Sequence, residues 1–217
     1  MKKLLALIQV LDNLCRMPRS GGLLFAGIDP NRCDSIADHN FKVVSVVLLL
    51  GELFKKNNVP INFEHLLKMA ITHDWTDSIL LDIPSSSPSY SSYFTDVDIR
   101  KISKNAEAVA NAVIAEYIAT IIPLELNEGV LSKEEKDIIS IADITVLLTE
   151  ALEWKYQGLR YEWIDYLWSN TMKRLESVAA EYSFLNEFIN ELQTAHDSGI
   201  KPANPFLTKP EFQGLKK

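Results

Sequence analysis

Histidine and aspartate residues at three separate places in the chain have the types and spacing to hold a metal ion. The chain has only four histidines, and one of them, His73, is followed directly by Asp74. His39 lies upstream, in the segment Asp34-Ser-Ile-Ala-Asp-His39. Asp143 stands among isoleucine and alanine residues, where a charged carboxylate is costly unless it has a partner. A cation is one such partner; an arginine, or a position on the surface of an amphipathic helix, is the alternative.

The elements that would position these side chains are marked by apolar residues recurring every three or four positions, which is typical of helices. His39 falls near the start of one expected helix, His73 and Asp74 at the end of the next, and Asp143 in the middle of a later one. Glycine is scarce, with 8 residues, which also favours helices over sheets. The pattern predicts an all-α fold with helices at about residues 3–15, 34–55, 61–72, 75–81, 96–121, 132–156, 161–180 and 184–195.

Three of these helices carry more specific predictions. Residues 43–50 are apolar nearly all round, which indicates a helix in the centre of the fold; a buried strand is the alternative, but the flanking pattern is too long for one. The motif Ser132-Lys-Glu-Glu135 is a capping box and predicts the start of the helix that bears Asp143. In the helix at 96–121, the expected apolar face consists of Ala106, Val109, Ala110, Val113 and Ile114.

Composition limits the class of partner. The chain of 217 residues is 47% hydrophobic, which is enough for a sizeable core. Its net charge of −7 disfavours binding to nucleic acid or to anionic membranes. Cys15 and Cys33 lack the spacing of a disulfide framework or a zinc ribbon, which favours reduced thiols. The apolar N-terminus is interrupted by Gln9 and Asp12 and is interpreted as an amphipathic helix rather than a signal peptide. We therefore expect a cytoplasmic protein that binds neither nucleic acid nor membranes.

The order His, His-Asp, Asp on separate helices resembles the signature of the HD-domain superfamily of metal-dependent phosphohydrolases. Its 5′-deoxynucleotidase branch, the YfbR-like enzymes, has successive motifs that are similar to Arg16-Met-Pro-Arg-Ser-Gly, Ser35-Ile-Ala-Asp-His39, His73-Asp-Trp-Thr-Asp77 with Asp82-Ile-Pro84, and Ile141-Ala-Asp143. The resemblance covers about residues 3–157. It implies an HD-domain bundle of about seven to nine helices. The lack of a long linker indicates a single domain at 1–200, in which the helices at 161–197 are additional to the family core, and the proline-rich residues 201–217 indicate an extended tail.

The resemblance implies that His39, His73, Asp74 and Asp143 bind one divalent metal ion. Two imidazoles and two carboxylates form a mixed nitrogen and oxygen set, which suits Mn²⁺, Co²⁺, Zn²⁺, Ni²⁺ or Fe²⁺. Four protein ligands on an octahedral ion would leave positions for water and for a phosphate oxygen, as a catalytic site requires.

The resemblance also assigns roles to residues around that ion. Asp77, where the branch usually has Glu, is expected to orient or deprotonate the attacking water, and it lies four residues after His73 and therefore on the same helical face. The alternative is that Asp77 only caps a turn or binds a water molecule that is not a ligand of the metal ion. Arg16 matches a phosphate-binding arginine and Arg19 is a second candidate; ordinary solvated arginine is the alternative for both. Asp82 is expected to contact the sugar or to hold the loop that follows.

The function implied by the resemblance is hydrolysis of (deoxy)nucleoside 5′-monophosphates by a metal-activated water. The alternatives are hydrolysis of another nucleotide, either cyclic or a triphosphate, and a catalytically weak protein that binds metal or nucleotide. The loop at 84–93, rich in Ser and Pro, is expected either to gate the site or to be an idle surface loop.

Aromatic residues in the last third of the chain have two interpretations. They either form the interface of a homodimer, which the branch commonly makes, or close the core of the monomer. The residues concerned are Trp154, Tyr161, Trp163 and Trp168. His65 and His196 are interpreted as structural.

Overall fold

The computed structural model describes residues 2–20, 28–29, 33–80, 105–106, 108–116, 131–159, 161–199 and 201. The helices with defined bounds, numbered α1 to α7, are Lys2–Leu11, Ile36–Lys56, Phe63–Thr72, Asp77–Leu80, Lys133–Tyr156, Tyr161–Ala179 and Asn186–Ser198. Short 3₁₀ helices lie at Asp12–Cys15 and Ser183–Leu185, and residues 108–116 are helical. These described residues contain no strand, and the predicted all-α fold is confirmed.

The chain divides into two compact units, Met1–Val146 and Leu147–Lys217. The first unit contains every described candidate site residue, and the second contains the end of α5 together with α6 and α7. None of the helices described combines the length and the apolarity needed to cross a membrane. The expected tail beyond residue 201 lies outside the described residues.

Helix α2 begins at a capping box immediately before His39. The Ser35 hydroxyl accepts a hydrogen bond from the backbone N–H of Asp38 (3.1 Å), and the Asp38 carboxylate accepts one from the backbone N–H of Ser35 (2.9 Å). The side-chain and backbone hydrogen bonds from Ser35 hold the pKa of Asp38 below its ordinary value. These bonds satisfy donors that a first helical turn otherwise leaves unpaired, and they fix where α2 starts.

The apolar middle of α2 is buried on one face only. Val43, Val47 and Leu50 are buried, whereas Leu48 and Leu49 are 45% and 70% exposed. The prediction that residues 43–50 are buried all round is therefore wrong. Successive helical residues are turned by about 100°, so a run of apolar residues must present some of its members away from the face that packs.

Helices α2 and α3 come close together at Gly51. A Cβ atom at this position would lie 2.5 Å from Cε2 of Phe63, at the start of α3. The missing side chain of glycine therefore permits the approach of the two helices. Since His39 lies on α2 and His73 directly follows α3, this contact helps to set the separation of the two imidazoles.

The helical residues 108–116 differ in part from the expected pattern. Ala110 and Ile114 are buried, and Ile114 belongs to a small cluster with Leu7 of α1. Val109 and Val113 are 65% and 38% exposed, so they are not on the buried face. Residues four apart share a face of a helix, and the buried face is the one carrying 110 and 114.

In the second unit, a polar and aromatic cluster around His196 joins α6 to α7. The ring of Trp168 stacks on the imidazole with their centroids 4.3 Å apart, and its Nε1–H donates to Oε1 of Gln193 (3.2 Å). Asp165 Oδ1 and Lys155 Nζ each lie 3.1 Å from Nε2 of His196. Trp168 is 3% exposed and belongs to the core of this unit, which agrees with the second of the two interpretations of these aromatic residues.

Candidate metal centre

His73 follows the last residue of α3 and presents one defined nitrogen atom to the site. Its Nδ1 lies 2.7 Å from the backbone carbonyl oxygen of Ala70. Because a carbonyl oxygen can only accept a hydrogen bond, Nδ1 carries a proton, and the neutral form of this imidazole has its lone pair on Nε2. A lone pair on one nitrogen with a backbone acceptor on the other is the usual arrangement of a histidine that binds a metal ion.

His39 is completely buried and faces two carboxylates. Its Nε2 is 3.1 Å from Oδ1 of Asp143 and 3.7 Å from Oδ2 of Asp74. The imidazole rings of His39 and His73 have their centroids 6.1 Å apart and are tilted by 48°. Side chains from α2, from the end of α3 and from α5 therefore meet at one place.

The chemistry of these donors fits a divalent metal ion. One ligand atom each of His39, His73 and Asp74 lies within 4.8 Å of the other two. Nε2 of His73 and Oδ2 of Asp74 are buried only 3.3 Å apart, yet neither makes a hydrogen bond to any described residue. Buried polar atoms without such bonds are costly, and a cation bound by both would satisfy them. Nitrogen and oxygen donors of this kind suit a transition metal.

Asp143 joins this group through its contact with His39. Burial raises the pKa of the Asp143 carboxyl, but the hydrogen bond from His39 and the charges of His39, Arg19 and His73 outweigh burial and hold that pKa below its ordinary value. The carboxylate is therefore ionised and available to a cation. Its side chain is 42% exposed, so the Asp143 carboxylate is only partly buried.

The two candidate phosphate-binding arginines have different surroundings. The side chain of Arg16 is 74% exposed and pairs with Asp12. Arg19 is partly buried, and its charge is among those that lower the pKa of Asp143. Of the two guanidinium groups, that of Arg19 therefore acts electrostatically on the candidate metal centre.

A short backbone pairing fixes Arg19 next to the start of α2. The N–H of Arg19 donates to the carbonyl oxygen of Asp34 (2.8 Å), and the N–H of Ile36 donates to that of Met17 (2.9 Å). Between these bonds, Pro18 and Ser35 form an isolated antiparallel bridge. The arginine segment is thus held against the residues that cap the helix bearing His39.

Asp77 begins a new helix and does not continue α3. Helix α3 ends at Thr72, a turn occupies residues 73–76, and α4 starts at Asp77. In this turn the N–H of Asp77 bonds to the carbonyl oxygen of Asp74 (3.1 Å), a tighter spacing than in an α-helix. The expectation that His73 and Asp77 share one helical face is therefore wrong. Asp82 and the loop at 84–93 lie outside the described residues.

Two supports of the site were not anticipated from the sequence. The capping box of Ser35 and Asp38 has a recognisable signal, a serine followed three residues later by an acidic residue. The carbonyl of Ala70 has none, because any residue at this position supplies the same acceptor.

Comparison with known proteins assigns the family. The profile of the YfbR-like 5′-deoxynucleotidases matches residues 7–192, which is most of the chain. The chain belongs to the YfbR-like 5′-deoxynucleotidase family. The 5′-deoxynucleotidase hdd1 of Schizosaccharomyces pombe is 37% identical to this YfbR-like chain over 84 residues. That match covers 37% of this YfbR-like chain and 38% of the yeast protein, well under half of the length of the relative.

Solved structures show that the fold of this YfbR-like protein is shared. A protein from Pyrococcus horikoshii has a TM-score of 0.68 at 23% identity, and the match covers 88% of this chain and 99% of the other. A conserved hypothetical protein from Pyrococcus furiosus has a TM-score of 0.62 at 28% identity, with the same coverage, 88% and 99%. An HD-domain phosphohydrolase from Listeria innocua has a TM-score of 0.63 at 20% identity, covering 95% of this chain and 90% of the other. The predicted HD-domain fold is confirmed.

Proposed function

We propose that this YfbR-like protein releases phosphate from (deoxy)nucleoside 5′-monophosphates, with one divalent metal ion held by His39, His73, Asp74 and Asp143. The observation that carries the proposal is the convergence of His39, His73 and Asp74 within 4.8 Å, with two of their buried ligand atoms making no hydrogen bond to a described residue. Membership of a family of 5′-deoxynucleotidases supports the substrate class.

The residues of the site divide the work between binding the ion and binding the phosphate. When bound, a divalent ion supplies Lewis-acid chemistry, which lowers the pKa of a water molecule and offsets negative charge on a phosphoryl group. His73 offers Nε2 because its Nδ1–H is engaged by Ala70, and Asp143 offers an ionised carboxylate. The ion is drawn from Mn²⁺, Co²⁺, Zn²⁺, Ni²⁺ and Fe²⁺, all of which accept such ligands.

Arg19 is the stronger candidate for holding the phosphate. Its guanidinium is permanently charged and presents a planar fork of donors that matches phosphate oxygens. Its charge acts on Asp143, whereas the Arg16 side chain is largely exposed and paired with Asp12. We assign Arg16 a secondary role at the edge of the substrate, and Asp82 a contact to the sugar or to the following loop.

Asp77 is assigned to the attacking water. It is partly buried at the start of α4, three residues beyond Asp74, so a tight turn keeps it near the ion-binding carboxylate. A carboxylate at this place orients the water by accepting a hydrogen bond from it and receives its proton as phosphorus is attacked.

In its assembly, the protein is proposed to be a homodimer located in the cytoplasm. Two exposed apolar surfaces are candidates for the interface. One is formed by Tyr166, which is 59% exposed, with the partly buried Trp163, and the two rings meet edge to face with their centroids 5.6 Å apart. The other is the outer face of α2, where Phe41 and Leu49 are 74% and 70% exposed. Large aromatic and aliphatic side chains of this kind are typical of the core of an interface.

The proposed activity is tested by phosphate release from a substrate panel in the presence of each metal ion. The panel contains deoxynucleoside and ribonucleoside 5′-monophosphates, a cyclic nucleotide and a deoxynucleoside triphosphate. Release from the monophosphates, lost in His73→Ala, is the expected result. Activity confined to the cyclic nucleotide or to the triphosphate would overturn the substrate class. Metal binding without phosphate release from any nucleotide of the panel would indicate a protein that binds metal without hydrolysing these nucleotides.

A further inference from the structure

Glu135 is a buried carboxylate in the first turn of α5 that bonds to two different helices. Its side chain is 5% exposed. Oε2 accepts a hydrogen bond from the backbone N–H of Ser132 (3.1 Å), which completes the capping box of α5. Oε1 accepts a second one from the backbone N–H of Asn62 (2.7 Å), 73 residues away in sequence. Nδ1 of His65 lies 3.5 Å from Oε2.

These bonds connect the start of α3, which leads into His73 and Asp74, to the start of α5, which carries Asp143. Asn62 is the N-cap of α3, and its side chain accepts a bond from the N–H of His65 (3.1 Å). Helix α3 ends immediately before His73 and Asp74, and Asp143 lies on α5, two turns beyond Glu135. With a rise of 1.5 Å per residue, the bond lies about 12 Å along α5 from Asp143 and about 16 Å along α3 from His73.

The second bond of Glu135 goes beyond what a helix start requires. A capping box needs only the exchange between Ser132 and Glu135, which satisfies the backbone of α5 alone. The bond to Asn62 is short, charge-assisted and partly buried, and it joins the start of α3 to the first turn of α5. Both helices are rigid elements, so a shift at this end moves the ligands at the other.

We infer that Glu135 is a positioning residue that sets the separation of the ligand-bearing parts of α3 and α5, and thereby the affinity of the metal centre. The inference rests on the metal site of the proposed function and not on the substrate. Glu135 touches neither ion nor nucleotide; it acts through Asn62 and the helix that follows it.

The test is calorimetric titration of the full-length chain with Co²⁺ alone. In Glu135→Gln, an amide NH₂ group replaces one carboxylate oxygen. Because this group cannot accept a hydrogen bond, one of the two backbone N–H donors loses its acceptor. Metal affinity should fall about tenfold, the lower end of the loss seen when support of a ligand is removed. Ser132→Ala is the matched control, because it weakens the same capping box and leaves the bond from Asn62 to Glu135 in place. It should lower the melting temperature and keep the wild-type metal affinity.

Two further variants separate positioning from general stability. Leu175→Ala removes a fully buried side chain of the second unit. It supplies a destabilised chain in which the bonds of Glu135 to Ser132 and Asn62 are unaltered. Glu135→Asp keeps the charge on a shorter side chain and should lose affinity as Glu135→Gln does, which covers the case in which the glutamine variant fails to fold. Wild-type affinity in the folded Glu135 variants, or an equal loss in Leu175→Ala, overturns the inference.

The outcome is independent of hydrolysis. A wild-type chain that binds Co²⁺ but releases no phosphate from any nucleotide defeats the proposed function, while the order of affinities among the variants still supports or overturns the role of Glu135. A wild-type chain that binds no Co²⁺, Mn²⁺ or Zn²⁺ overturns both.

Discussion

Nδ1 of His73 donates a hydrogen bond of 2.7 Å to the carbonyl oxygen of Ala70, three residues earlier in the chain. The last carbonyl groups of a helix lack partners within it, so the end of α3 supplies the acceptor that orients its own following residue. The tautomer of the imidazole is therefore set by the backbone.

The metal ligands give the first prediction. His73→Ala and Asp143→Ala should each abolish stoichiometric metal binding, because each removes a donor from a small set of converging ligands. Metal content after gel filtration, measured by atomic emission, provides the readout. His196→Ala is the matched control, since it removes a histidine of the second unit and should keep the full metal content. Full occupancy in both site variants would refute the ligand assignment.

Asp77 gives the second prediction. Asp77→Asn should lower kcat roughly 100-fold or more, the scale of a positioned general base, while metal content stays at the wild-type level. Asp137→Asn, which neutralises a partly buried carboxylate that pairs with Lys133 in α5, is the control and should keep its kcat. A near-normal kcat in Asp77→Asn would mean that Asp77 serves only to begin α4.

The two arginines give the third prediction. Arg19→Ala should lower kcat/KM by about 10- to 100-fold, because a hydrogen bond to a charged group contributes about 1.5–3 kcal/mol. Arg16→Ala should have a much smaller effect, because that side chain is exposed and already paired with Asp12. Steady-state kinetics with a deoxynucleoside monophosphate measure both. A larger loss of kcat/KM in Arg16→Ala than in Arg19→Ala would assign the binding of the phosphate to Arg16.

Oligomeric state gives the fourth prediction. Sedimentation equilibrium at micromolar protein should report about twice the chain mass of 24.5 kDa. Trp163→Glu and Leu49→Glu place a charge on each of the two exposed apolar surfaces in turn, and the variant that yields a folded monomer identifies the interface. Circular dichroism establishes that the monomer is folded. A monomeric wild-type protein would rule out the dimer.

Local patterns in the sequence predicted the helices well, but they did not predict the contacts between helices. The capping box of Ser132 and Glu135 is confirmed, because both partners lie within four residues. The bond from Asn62 to the same carboxylate joins residues 73 positions apart in sequence and has no local signal. Likewise, the apolar type of Val109 and Leu49 does not reveal which side of each helix is covered.

The residues of the candidate metal centre were predicted from the resemblance. Their structural surroundings were predicted neither from the resemblance nor from the sequence pattern. Spacing alone placed His73 and Asp77 on one face, yet the chain leaves the α-helical path after Thr72. The relative importance of Arg16 and Arg19 also depends on where the backbone pairing with residues 34–36 directs each side chain. These are properties of tertiary structure.

The close approach at Gly51 has an evolutionary consequence. A Cβ at residue 51 would fall 2.5 Å from the Phe63 ring, so a side chain at one position and an aromatic ring at the other exclude each other. Relatives that carry alanine or a larger residue at position 51 should therefore carry a smaller side chain at position 63. The two positions should covary although neither takes part in the chemistry, and their joint record across the family would trace how the spacing of the two histidine-bearing helices has been preserved.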